Sequence, residues 1–138
     1  MKLFITDNIE KSERAALRKG LLEYNLARLE DKCPKDLGIF LKDDDGTIVA
    51  GLTGDTHGNW LSVEYLWVSE ALRGQHVGSQ ILEQAEKTAA ERGCKYVFLD
   101  TFSFQAPLFY KKHGYQEVFA LEQYPLTGKR HYFTKELV

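Results

Sequence analysis

Apolar and polar positions recur with two different periods along the chain, and the switches between them divide it into elements. Lys2–Thr6 is a short apolar run of the strand kind. From Ser12 to Asp31, Leu17, Leu21, Leu22, Leu26 and Leu29 return at helical steps among Glu, Lys and Arg, which predicts a long amphipathic helix with Pro34 as its stop. Two strands follow, Leu37–Lys42 and Thr47–Thr53, joined by Asp43-Asp44-Asp45-Gly46, where glycine tolerates the positive φ of a hairpin tip. After a turn at His57-Gly58-Asn59 the pattern predicts a longer strand over Trp60–Val68, a loop over Ser69–Gln75, and a helix over Val77–Arg92. That helix carries the stripe Val77, Ile81, Ala85 and Ala89 with Leu82 beside it, and Gly93 ends it. Lys95–Asp100 reads as a buried strand, about Gln105–His113 as a shorter helix ending at Gly114. Tyr115–Leu121 and Arg130–Glu136 are the last strands, linked by a turn around Pro125 and Gly128. Strands and helices interleaved in this order predict an α/β fold with one mixed sheet covered by helices on both faces.

Composition narrows the class. The 138 residues suit a single domain, 1–138, and 43% hydrophobic with 28% charged residues is an ordinary globular balance. Eighteen Lys plus Arg against twenty Asp plus Glu leave a formal charge of −2, so no global field holds nucleic acid or an anionic membrane. An anionic ligand must be gripped locally. No apolar run reaches the ~18 residues of a membrane span, and the stretch from Met1 to Asp7 is too short for a signal peptide. Cys33 and Cys94 form no CxxC and no Cys/His cluster, so no metal site is expected, and a reduced, cytoplasmic setting is. The Asp43–Asp45 triplet reads as a solvated hairpin tip, since no further ligands follow at calcium-loop spacing.

The chemistry concentrates in Val68-Ser69-Glu70-Ala71-Leu72-Arg73-Gly74-Gln75-His76-Val77-Gly78-Ser79. A strand runs through a glycine-bearing loop straight into a helix, whose first N–H groups have no internal partner and carry the positive end of the helix dipole. Gly74 allows close backbone approach, Gly78 lets the helix start lie against a ligand or the sheet, and Arg73 supplies a fixed charge. This suits a phosphate or pyrophosphate; a plain helix start with an exposed arginine is the competing reading. Neither a Walker A loop nor a GxGxxG fingerprint is present, which argues against a nucleoside triphosphatase or a Rossmann dehydrogenase.

With these residues the sequence resembles the GCN5-related N-acetyltransferases (GNAT). Their pyrophosphate loop, Arg/Gln-x-x-Gly-x-Gly/Ala, is matched by Arg73 to Gly78, with His76 standing where the family usually has glycine. A second block, Phe98-Leu99-Asp100-Thr101 followed by Gln105-Ala106-Pro107-Leu108-Phe109-Tyr110-Lys111-Lys112-His113-Gly114-Tyr115, looks like the family's fifth strand and the helix after it. The resemblance implies a mostly antiparallel sheet with a V-shaped splay between the Trp60–Val68 and Lys95–Asp100 strands. It also implies acetyl-CoA, its pantetheine arm on the backbone of Leu66 and Val68 and its pyrophosphate on Arg73, Gly74, Gln75, His76, Val77, Gly78 and Ser79.

The same resemblance suggests roles for three further residues. Tyr110 stands at the family's Phe-Tyr position and would donate to the departing sulfur; a core aromatic is its plainer role. Gln105 occupies a position where many members contact the cofactor through Asn, and a hydrogen bond to its own backbone is the equal alternative. Glu64, a carboxylate amid Trp60, Leu61, Val63, Tyr65 and Leu66, is the candidate base, although a polar strand face would also expose it. The Val68 N–H is the oxyanion donor the family implies.

The reading is a single-domain N-acetyltransferase that transfers acetyl to a primary amine of a small molecule by direct attack in a ternary complex. Its rivals are a non-catalytic acyl-CoA sensor of the same fold and a small α/β domain whose loop holds another phosphate. An edge strand or the aromatic C-terminal hairpin could support a homodimer.

Overall fold

The structure is a computed structural model that describes residues 1–30 and 33–137. The chain divides into two compact units, residues 1–32 and 33–138.

The first unit is built on helix α1, Lys11–Leu26. A capping box opens it: the Glu10 backbone N–H donates to the Glu13 carboxylate at 2.9 Å, and the Glu10 side chain accepts in return. None of its residues is buried, and the predicted stripe of Leu17, Leu21 and Leu22 is exposed. Two expectations need correction. Lys2–Thr6 is not a strand, and Leu3, Phe4 and Ile5 lie exposed. A strand exists only where a neighbour takes up its N–H and C=O groups, which an apolar run cannot announce by itself. The helix also ends at Leu26, well before Pro34; Asp31, its expected last residue, lies outside the described residues. Arg28 closes it locally, its guanidinium bonding the Tyr24 carbonyl at 3.0 Å and stacking 3.8 Å from the Tyr24 ring centre.

The second unit holds a six-stranded sheet in the order β1-β2-β3-β4-β6-β5. Its strands are β1 (Lys35–Lys42), β2 (Ile48–His57), β3 (Trp60–Val68), β4 (Tyr96–Phe102), β5 (Gln116–Glu122) and β6 (Lys129–Glu136). Every pairing is antiparallel except β3 with β4. At the β1–β2 tip, the Asp43 carboxylate accepts the N–H groups of Asp45 and Thr47 and Gly46 takes φ +82°, so Asp43 shapes the turn.

Two features of the sheet position the site. First, β3 and β4 pair at only three positions, Trp60 with Tyr96, Leu61 with Val97 and Ser62 with Phe98, and beyond that the strands part. The V-shaped splay is therefore present, with Leu66 and Val68 on one bank and Asp100 on the other. Second, Gly54 faces Val63 and Thr53 faces Tyr65, so Glu64 is the extra residue of a β-bulge.

Helix α2 (Val77–Glu91) packs on β1, β2 and β3 through Ile81, Leu82, Ala85 and Ala89, all buried as the stripe predicts. Gly93, at φ +92°, turns the chain out of it into buried Cys94 and then β4. Helix α3 (Pro107–Lys112) is shorter than the sequence suggests, because Gln105 and Ala106 belong to the loop before it.

Candidate active site

The end of β3 leads through a 3-10 turn, Glu70–Leu72, into the loop that starts α2. Two left-handed residues shape that loop: Gly74 at φ +80° and His76 at φ 62°, ψ 18°. His76 is the N-cap of α2, and no side chain caps the helix. The first helical bond runs from Gln80 N–H to the His76 carbonyl, so the N–H groups of Val77, Gly78 and Ser79 find no acceptor within the helix. A Cβ on Gly78 would meet Phe109 and Val68 at 3.5 Å, ordinary contact, so these neighbours leave room for a side chain there. The open space is what the glycine preserves.

That helix start is the floor of a cleft of about 480 Å³, within the usual range for small-ligand sites. Leu66 and Val68 of β3 form one wall, and Phe109, Tyr110, Lys112 and His113 of α3 and its C-cap form the other. The cleft thus gathers nine of the residues expected to bind or act there: Leu66, Val68, Arg73, Gly74, His76, Val77, Gly78, Ser79 and Tyr110. The backbone on the β3 wall faces the gap. Ser69 donates its N–H to Val49 of β2, and neighbouring residues of a strand alternate sides, so the N–H groups of Val68 and Leu66 point away from β2 toward the splay. Arg73 folds back on this wall, its Nε donating to the Val68 carbonyl at 3.3 Å.

Tyr110 is almost buried at 7% exposure, its ring edge-on to Phe109 and Tyr115. Among the described residues its hydroxyl has no hydrogen-bond partner, and no buried side-chain polar atom is left unsatisfied, so the hydroxyl meets the cleft rather than sealed core. Burial, with the nearby Asp100 carboxylate adding to it, pushes its pKa up to about 12. Glu64 sits exposed at the bulge and accepts a hydrogen bond from the Thr53 hydroxyl at 3.1 Å; it lies on the sheet rather than in the cleft.

Besides Glu64, two expected residues are not brought in. Gln105 does not line the cleft: its side-chain oxygen accepts the Phe102 N–H at 2.7 Å and the Thr101 hydroxyl at 3.1 Å, the local backbone alternative. Gln75 likewise turns to the Ala71 carbonyl at 3.3 Å. Sequence reasoning missed His113, which bonds the Ser79 hydroxyl at 2.9 Å and lies over Phe109 with ring centres 4.7 Å apart. It ties α3 to the start of α2, and a histidine just before a helix-ending glycine gives no sign of that.

Known proteins are similar to this chain in sequence and fold. The chain is 35% identical to an acetyltransferase of Agrobacterium fabrum over 121 residues, 88% of each chain. It is 38% identical to the blasticidin-S acetyltransferase of Streptomyces morookaense over 93 residues, 67% of this chain and 68% of that one. A crystal structure of an acetyltransferase from Bacillus cereus superposes with a TM-score of 0.81 at 35% identity, covering 97% of this chain and 98% of the other. The Acetyltransferase (GNAT) family model matches residues 6–115, and with the splayed sheet and the cleft at the start of α2 the chain belongs to that family.

Proposed function

We propose that the protein transfers the acetyl group of acetyl-CoA to a primary amine of a small molecule, by direct attack in a ternary complex. The observation that carries this reading is the unpartnered Tyr110 hydroxyl in a cleft floored by the free N–H groups of α2. In this reading the helix start and Arg73 hold the pyrophosphate. The pantetheine arm lies in the splay and pairs with the backbone of Leu66 and Val68 as a short extra strand would. Glu64 takes a proton from the ammonium through water, the free amine attacks the thioester carbon, the C–S bond breaks with CoA leaving as thiolate, and the second nitrogen proton passes to solvent. The Val68 N–H receives the charge developing on the carbonyl oxygen. A small-molecule acceptor is supported by the relative named for blasticidin S. A homodimer belongs to the same reading, supported by the edge strand β5 with its exposed Val118 and Phe119, and sedimentation should return twice the 15.8 kDa chain mass.

Magnitudes decide what Tyr110 does. Its hydroxyl, near 12, faces a thiol of about 8.5 by analogy with cysteine. Full proton transfer to the thiolate would run uphill by about 5 kcal/mol at ~1.4 kcal/mol per pKa unit. Tyr110 therefore acts as a hydrogen-bond donor to the sulfur, and the thiolate leaves as such. The test is thiol release from acetyl-CoA with a panel of amines. Tyr110→Phe should cut the rate by about 10²–10³, the usual loss for one donor to developing charge, while acetyl-CoA binding holds. Near-full turnover in Tyr110→Phe removes the assignment, and acetyl-CoA binding with no amine acetylated removes the enzyme reading in favour of a sensor.

A further inference from the structure

Side chains alternate along β4: Leu99 and Thr101 are buried, whereas Phe98, Asp100 and Phe102 are only half-buried on the other face. Their register partners on β6 include Tyr132 opposite Asp100 and Arg130 opposite Phe102. On this face the Arg130 Nε donates to the Asp100 carboxylate at 2.7 Å. Three rings surround the guanidinium, with centres 5.5 Å (Tyr132), 5.6 Å (Tyr124) and 5.9 Å (Phe102) away, and Phe104 stacks on Phe102 at 5.3 Å. The guanidinium is thus held from several sides before any ligand arrives.

The pair is incomplete. Among the described residues, neither Nη of Arg130 nor the second oxygen of Asp100 has a protein partner, and the two side chains are 32% and 29% exposed. A bond through Nε leaves the Nη groups free, and one carboxylate oxygen remains to accept. The position is also telling. Asp100 lies on the β4 bank of the splay, two residues past the last β3–β4 pairing at Phe98, opposite the Glu64 bulge.

We propose that Asp100 and Arg130 form the acceptor subsite, and that the acceptor is zwitterionic: an amino acid whose carboxylate lies two or three bonds from its amine and whose body is flat or apolar. This inference rests on the acetyl-transfer reading above. The free Nη groups take the carboxylate as a fork, the free Asp100 oxygen takes the ammonium and aims it at the splay, and the body lies along Phe102, Phe104 and Tyr124. A polyamine or amino sugar fits less well. Arg130 already neutralises Asp100, so the pair has no net negative charge with which to hold a polycation.

The experiment uses the whole chain with acetyl-CoA and two acceptors, phenylalanine and phenethylamine, which differ by the carboxylate. Thiol release is measured for the wild-type protein, Arg130→Gln and Arg130→Lys, and phenylalanine binding in the presence of CoA is measured by calorimetry. The expected result is a kcat/KM ratio, phenylalanine over phenethylamine, that falls about tenfold or more in Arg130→Gln, the loss of one charge-assisted contact, and recovers in part in Arg130→Lys. The intrinsic reactivity of the two amines cancels in this comparison, and a merely structural role would lower both rates and leave the ratio unmoved. An unmoved ratio, or faster turnover of spermidine than of phenylalanine, overturns the subsite while leaving acetyl transfer standing. Phenylalanine binding that depends on Arg130 without any acetylation keeps the subsite and overturns the transfer reading.

Discussion

His76 stands in a conformation that side chains avoid, and replacing it should make the protein more stable. At φ 62°, ψ 18° the residue is left-handed, where a Cβ crowds the backbone at a cost of about 1–2 kcal/mol. His76→Gly removes that cost and gives back part of it, about 0.4–1 kcal/mol, because glycine has more unfolded freedom to lose. The net is a stabilisation of roughly 0.5–1 kcal/mol. Unfolding entropy of about 2.1 cal/mol/K per residue, over 138 residues, is ~0.3 kcal/mol/K, so the melting temperature should rise by about 2–4 °C. His76→Ala is the control: it deletes the imidazole without relieving the backbone and should leave the transition level or lower. Calorimetric melts of the three proteins read the outcome directly. A fall on His76→Gly refutes the reasoning, since the ring would then be making contacts worth more than the strain. The same variant tests the site. The anion donors at the start of α2 are backbone groups, so acetyl-CoA affinity should hold within about threefold; a loss near tenfold, about 1.4 kcal/mol, would mean the imidazole itself grips a phosphate.

Gly74→Val places a β-branched residue at φ +80° where, among the described residues and apart from its chain neighbours, no atom lies within 4 Å of the added Cβ, so the penalty falls on backbone conformation and ligand approach. Acetyl-CoA affinity should drop about tenfold or more by titration calorimetry, and an unchanged value would reduce the loop to a plain helix start. Glu64→Gln should slow transfer chiefly at low pH, where most of the amine is protonated, with partial rescue as pH rises; an unmoved pH–rate profile hands the base role to water or another group. Tyr110, raised above its unfolded value of 10, favours the fold below pH 10 and loses that contribution as pH climbs through about 12. Urea midpoints followed from pH 9 to 12 should therefore fall, and Tyr110→Phe should remove about 2–3 kcal/mol of that fall, with Tyr115, also raised by burial and its bond to Glu86, carrying the rest.

The sequence was most readable where one segment settles its own geometry. The buried stripe of α2 follows directly from side-chain period, because one face of the helix must be apolar to be buried. The anion floor was readable for the same local reason: a glycine-bearing loop entering a helix leaves free N–H groups whatever surrounds it. Lys2–Thr6 misled because its apolar character says nothing about a pairing partner. Gln105 is undecided in the sequence because its reach allows either a ligand or its own loop, and only the Phe102 N–H and the Thr101 hydroxyl resolve it.

What stayed hidden depends on register between strands distant in sequence. Asp100 and Arg130 are thirty positions apart and look unrelated until β4 and β6 pair. Both lie in strands whose apolar run explains the fold without them, so a charged residue there reads as surface. Once paired, they tell a different story from the cofactor side. In the proposed reading the α2 start holds the pyrophosphate of the acyl donor, and it uses backbone groups that any sequence supplies. The β4–β6 face uses side chains that this chain chose, in a ring of aromatics that no core requires: Phe104 is 81% exposed, yet it stacks on Phe102 beside the guanidinium. On the proposed reading donor recognition is written in the backbone and acceptor recognition in side chains, which is why likeness of fold points to the first and leaves the second to residues particular to this chain.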